Sequence, residues 1–148
     1  MNNSFYVDKG IACAVVDCQC GQIMKNIEAA IKLEDTLDVY SFRPETIMVL
    51  DCKDNLQELN DWLKAFRENL EVVKSIFEIK EEFYCIFTKF KEEIIDTDYI
   101  MLCKNRQAMQ DDFSDTMDYR MMEDVIDLYI KIIKTMKYVF DYLDEYQE

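Results

Sequence analysis

Two glycines, Gly10 and Gly21, and one proline, Pro44, are all that the 148 residues contain. Average usage would place roughly ten and seven in a chain this long. Glycine supplies the left-handed backbone of tight turns and proline presets their first bend. A chain so poor in both has few tight turns to make. That argues against a β-sandwich, a barrel or a dinucleotide-binding α/β domain. It favours long helices, the more so because neither residue occurs between 45 and 148.

The apolar periodicity agrees. Met122, Val125, Tyr129, Ile132, Met136, Val139, Leu143 and Tyr146 alternate spacings of three and four, an a/d heptad series. Ile126, Ile133 and Phe140 widen the stripe at every seventh residue, which suits a helix inside a bundle. The helix is expected over 115–146, with Ser114 or Thr116 as N-cap. In the middle, Leu56, Leu59, Leu63, Phe66, Leu70, Val73 and Phe77 form a second series, which shifts phase to Ile76, Ile79, Phe83, Ile86, Phe90 and Ile94. Residues 54–95 are therefore one long helix with a migrating seam, or two helices broken near Glu78–Glu82. Asp96-Thr97-Asp98 ends the segment, and a shorter helix is expected over 99–109. Toward the N-terminus, Cys13, Val16, Cys20, Ile23, Ile27, Ala30 and Leu37 fit a heptad with one polar miss at Glu34, which predicts a helix over 11–37. A rival reading makes Phe5–Val7 and Ile11–Val16 a small β-hairpin and Thr46–Leu50 a third strand, because short apolar runs are not assigned by period alone. The expected fold is an elongated all-α bundle of three or four helices, a single domain over 1–148.

Half the residues are apolar and 32% are charged, so the chain can bury a core. The apolar run 11–16 is too short for a secretory signal core and lacks a basic stretch before it. No window approaches the ~20 apolar residues of a membrane span. A soluble, cytoplasmic protein is expected. Its six cysteines, at 13, 18, 20, 52, 85 and 103, then read as reduced core thiols rather than disulfides.

The chemistry is bounded by what is missing. With no histidine, Ser-His-Asp and Cys-His catalysis and His-ligated metals fall away. Cys13-x4-Cys18-x-Cys20 is the one thiol cluster, three thiols in one apolar-patterned segment with the others scattered singly, where a zinc site wants four soft ligands on knuckles with a turn between them. No metal or cofactor is expected. Glu68-x2-Glu71, Glu78-x2-Glu81 and Glu93-x2-Asp96 resemble the paired acids of Mg²⁺-dependent all-α nucleotide pyrophosphohydrolases, but acids are frequent enough here for such pairs to arise by chance.

The net charge is −14, and it is uneven. Residues 111–148 carry 11 acids and 4 bases, half the net charge in a quarter of the length. Asp111, Asp112, Asp115, Asp118, Glu123, Asp124 and Asp127 gather before and within the first turns of the last helix, and Asp141, Asp144, Glu145 and Glu148 form a second group at its end. Direct nucleic-acid binding needs clustered Lys and Arg, whereas Lys131, Lys134 and Lys137 are flanked by acids. Carboxylates at i and i+4 lie about 6 Å apart, close to the ~7 Å spacing of phosphates along a strand, so an acidic helical row can imitate a nucleic-acid backbone. The expectation is a non-enzymatic, stoichiometric inhibitor that docks the seven acids of 111–127 on a basic surface of a nucleic-acid-handling protein. In composition the chain resembles phage-encoded antagonists of host defence, including CRISPR inhibitors, and toxin-neutralising immunity proteins, a resemblance of composition alone. The alternatives are a coiled-coil assembly adaptor, with homo-oligomerisation through its heptads, the nucleotide pyrophosphohydrolase, and a solvated acidic face that serves solubility.

Overall fold

The computed structural model describes residues 2–36, 53–72, 75–90 and 117–146, with side chains over 9–35, 54–72, 75–90 and 124–146. They form four helices: α1 (Asn2–Thr36), α2 (Lys53–Asn69), α3 (Ile76–Phe90) and α4 (Met117–Asp144). No strand occurs among the described residues.

The hairpin alternative is corrected by α1, which runs through both of its arms. Ala12, Val16, Cys20, Ile23, Ile27 and Ala30 recur at intervals of three and four and are fully buried, whereas Ile11, an arm residue of the hairpin, is 52% exposed. One helical stripe therefore buries more apolar surface than an alternating strand would. The stripe continues to Glu34, buried at 6% exposure in the heptad position of the polar miss.

The middle segment is two helices. Leu56, Leu59, Leu63, Phe66 and Leu70 are buried, and Val73, the next of the series, lies outside the described residues. Phe77, its expected continuation, is 49% exposed, while Ile76, Ile79, Phe83, Ile86 and Phe90 are buried. A straight helix cannot carry both phases against one core, so α2 ends at Asn69, followed by turn residues 70–72, and α3 begins at Ile76. This lies upstream of the break expected near Glu78–Glu82, whose residues form early turns of α3. Leu70 N–H donates to the Arg67 carbonyl and Val72 N–H to that of Asn69, closing α2 with i→i+3 turns. Ser75 then caps α3, its Oγ accepting from the Glu78 N–H at 3.2 Å. Ser75-x-x-Glu78 is the capping-box pattern.

The pairing gives the topology. Cys13 and Asp17 lie beside Leu70 and Arg67. Glu58 and Phe66 lie beside Lys89 and Phe83. Lys80 and Phe87 lie beside Asp144 and Phe140. In each pair rising numbers meet falling ones, so successive helices are antiparallel. α4 is then antiparallel to α1, and these two long helices share the largest interface, closing an up-down-up-down ring. Val125, Ile126, Tyr129, Ile132, Ile133, Met136, Val139 and Leu143 of α4 are all buried in one core to which all four helices contribute. Among the described residues no helix is long and apolar enough to cross a membrane. The expected strand 46–50, the helix 99–109, the caps Ser114 and Thr116 and the stop Asp96-Thr97-Asp98 lie outside the described residues.

Candidate binding surface

Of the seven acids expected to form a docking patch, Asp111, Asp112 and Asp115 lie outside the described residues. Asp118 and Glu123 belong to the backbone of α4. Asp124 and Asp127 are exposed on the outer face of α4. Beyond them the row changes sign: Lys131, Lys134 and Lys137 are exposed in turn, and acids resume at Asp141 and Glu145. The outer face of α4 is thus acidic at both ends and basic between them.

The second acidic group finds company that is remote in sequence. Lys80 Nζ lies 3.2 Å from the Asp144 carboxylate and ties the end of α4 to the start of α3. The end of α2, with its turn residues 70–72, lies at the same end of the bundle, because α2 and α3 are antiparallel neighbours. Glu68, Glu71, Glu78, Glu81, Glu82, Asp141, Asp144 and Glu145 are all exposed around this end of the bundle. The last turn of α4 holds no basic residue, so its acids oppose the helix dipole and helix stability does not account for them. Large apolar residues are exposed among them, with Val72 at 73% and Phe77 at 49%. Cys13 Sγ approaches the Leu70 carbonyl at 3.9 Å, which sets α1 against the same turn.

Beside the turn, α1 and α2 enclose an open groove of about 460 Å³ lined by Cys13, Asp17, Arg67, Glu68 and Glu71. Arg67 forks onto Asp17, with Nε to Oδ1 at 2.8 Å and Nη2 to Oδ2 at 3.3 Å. The hydrogen bond from Arg67 holds the Asp17 carboxyl below its usual range. A Cβ on Gly21 would lie 3.4 Å from both terminal nitrogens of Arg67, so the glycine lets the guanidinium lie flat against α1. The sequence does signal this contact: a mid-helix glycine in a glycine-poor chain marks a close approach.

The thiols divide. Cys20 is buried and its pKa is pushed up to about 12 by that burial. Cys13 is half-buried and also raised by desolvation. Cys18 and Cys85 are exposed, which corrects the reading of all six as core residues. Each stands off its helix's buried stripe, Cys18 between Val16 and Cys20 and Cys85 between Phe83 and Ile86. Cys52 and Cys103 lie outside the described residues. Among the described residues no three of His, Cys, Asp and Glu gather as a metal-binding group. Glu68, Glu71, Glu78 and Glu81 face solvent, and Glu93 and Asp96 lie outside the described residues. Comparison of the chain with protein-family models, with curated proteins and with solved structures finds no match.

Proposed function

We propose that this chain is a non-enzymatic binding protein that presents acidic helical surface to a basic surface of a nucleic-acid-handling protein, acting stoichiometrically as an inhibitor. One observation carries the reading: acids from α2, α3 and α4 converge on the turn end of the bundle, around exposed Val72 and Phe77. Apolar side chains ringed by like charges have the anatomy of an interface, an anchor with a polar rim. Ion pairs at such a rim contribute roughly 0–1 kcal/mol each, but together they set association rate and partner choice. The heptad seams, which would serve a coiled-coil adaptor, are spent inside the bundle.

Two charge-reversal variants assign the docking end. The first changes Asp111, Asp115, Asp118 and Asp124 to Lys, and the second changes Glu71, Glu81 and Glu145 to Lys. A partner captured by the wild-type chain should lose affinity for at least one variant. Its association rate should fall steeply as salt shortens the screening length to about 8 Å at physiological ionic strength. Unchanged affinity in both variants, with a rate flat in salt, defeats the proposal.

A further inference from the structure

We propose that the outer groove between α2 and α3 is the docking site for a basic amphipathic helix of a protein partner. This inference rests on the reading of the chain as a binder of basic proteins and adds an apolar place of contact beside the acidic turn end, with which it shares Glu78, Glu81 and Glu82. The groove is lined by Trp62, Phe66, Asn69, Glu82, Cys85 and Ile86 and has a volume of about 230 Å³. That is below the ~300–1,000 Å³ of small-molecule pockets, and it suits one or two side chains of a larger partner. Phe66 and Ile86, each 3% exposed, make an apolar floor.

Trp62 is the chain's one tryptophan, yet it is 40% exposed. Its ring stands edge-on to Phe90, with centroids 6.0 Å apart and planes at 85°. Lys89 Nζ lies 5.5 Å from its centroid and 3.2 Å from the Glu58 carboxylate. Held on these sides, the indole is an anchor already ordered before binding, which lowers the entropic cost of docking. Tryptophan is also among the residues most enriched at interface hot spots. The groove runs along two antiparallel helices, as in helix-in-groove recognition, where apolar residues at helical spacing enter a furrow.

Charge selects the occupant. Glu82 lines the groove, and Asp61, Glu78 and Glu81 are exposed on the same two helices. Lys89 at its border is drawn onto Glu58. An incoming helix that sets Lys or Arg beside its apolar residues complements this rim, and an acidic one is repelled by a chain of net charge −14.

The groove carries its own reporters. Trp62 emission reads burial of the floor, and Cys85 is an exposed free thiol in the wall, while Cys18 on α1 serves as a control thiol. The probe is a synthetic Lys/Leu amphipathic helical peptide, with its Glu/Leu counterpart as control, titrated at physiological ionic strength. The Lys/Leu peptide should give a saturable blue shift of Trp62 and slow alkylation of Cys85, mapped by mass spectrometry, with Cys18 unchanged. The double variant Glu82→Lys with Cys85→Arg, both exposed positions, should keep its helicity and bind at least about tenfold more weakly. Asp124→Lys with Asp127→Lys should change that affinity far less. Peptide binding that leaves Trp62 and Cys85 untouched overturns the groove while the acidic-surface reading stands. Absence of binding, equal binding of the Glu/Leu peptide, or self-association that buries Trp62 without peptide each overturns the groove as well.

Discussion

Two of the polar contacts that helix α1 makes with its neighbours differ sharply in their access to water. Against α2, Asp17 accepts a forked hydrogen bond from Arg67, with the two side chains 49% and 34% exposed. Against α4, Glu34 accepts a hydrogen bond from the Tyr129 hydroxyl, with the two residues 6% and 1% exposed. Both pairs put a carboxylate oxygen on a donor from the next helix. Water can replace the first donor and cannot readily replace the second. The contact with full formal charges should therefore matter less to stability than the contact with a neutral phenol, because the net worth of a polar contact depends on what solvent would offer instead.

The α1·α4 seam sets the upper limit of that scale. Ile132 is fully buried three residues from Tyr129 on the same face of α4. Ile132→Ala should cost ~2–5 kcal/mol, the range for large-to-small core changes, measured by denaturant unfolding. A cost below about 0.5 kcal/mol, the surface-substitution range, would mean that this stretch of α4 does not face the core, and the comparison would lose its buried arm.

Next in size is the buried hydrogen bond itself. Tyr129→Phe removes the hydroxyl from the Glu34 carboxylate without opening a cavity, and should cost about 1–3 kcal/mol. The paired change Tyr129→Phe with Glu34→Leu should recover most of that loss, since replacing both buried partners by apolar groups is often neutral or stabilising. A double variant less stable than Tyr129→Phe would show that Glu34 serves the seam in another way.

These two contacts also mark how far the sequence could be read. The stripe of α4 was legible because its period runs unbroken from Val125 to Leu143 with no glycine or proline to interrupt it. Glu34 was legible as a polar miss in a heptad and not as a partner of Tyr129, 95 residues away, because local period says nothing about which seams meet. The division between α2 and α3 shows the same limit. Val73 and Phe77 continue the a/d count past the real end of α2, and Ser75-x-x-Glu78 marks the restart by capping chemistry rather than by apolar period. Of the candidate surface, the acid-rich end of α4 was visible as composition. Its meeting with Glu71 and Glu81 depends on the antiparallel order of α3 and α4, which no single segment encodes.

The exposed pair gives the third prediction. Asp17→Asn should cost no more than about 1 kcal/mol, because both partners keep access to water, and the difference from wild type should shrink further in high salt. Its pH dependence has a definite sign. The Asp17 carboxyl is held below its usual range in the folded chain by the Arg67 hydrogen bond. Its stabilisation is therefore fully present above the ordinary carboxylate pKa of about 4 and is lost as pH falls through the lower folded value. Thermal unfolding of wild type and Asp17→Asn should differ at neutral pH and converge on acidification below that point. A gap that persists in acid would assign the effect to packing instead.

The smallest effect concerns the space beneath the same guanidinium. Alanine is favoured over glycine inside a helix by about 1 kcal/mol. Gly10 has no heavy atom within 4 Å of where a Cβ would stand, so Gly10→Ala should approach that gain. Gly21→Ala meets the Arg67 terminal nitrogens at 3.4 Å, a contact at the tight edge of ordinary packing but with the far end of a flexible side chain. It should still stabilise, by a few tenths of a kcal/mol less than full helix propensity allows, because Arg67 must lift slightly from α1. Adding Arg67→Met should restore the difference if the guanidinium is what resists the methyl group. If Gly21→Ala instead destabilises and Arg67→Met does not relieve it, the close approach at Gly21 is between the helices themselves. The exposed contact would then be as tightly constrained as the buried one.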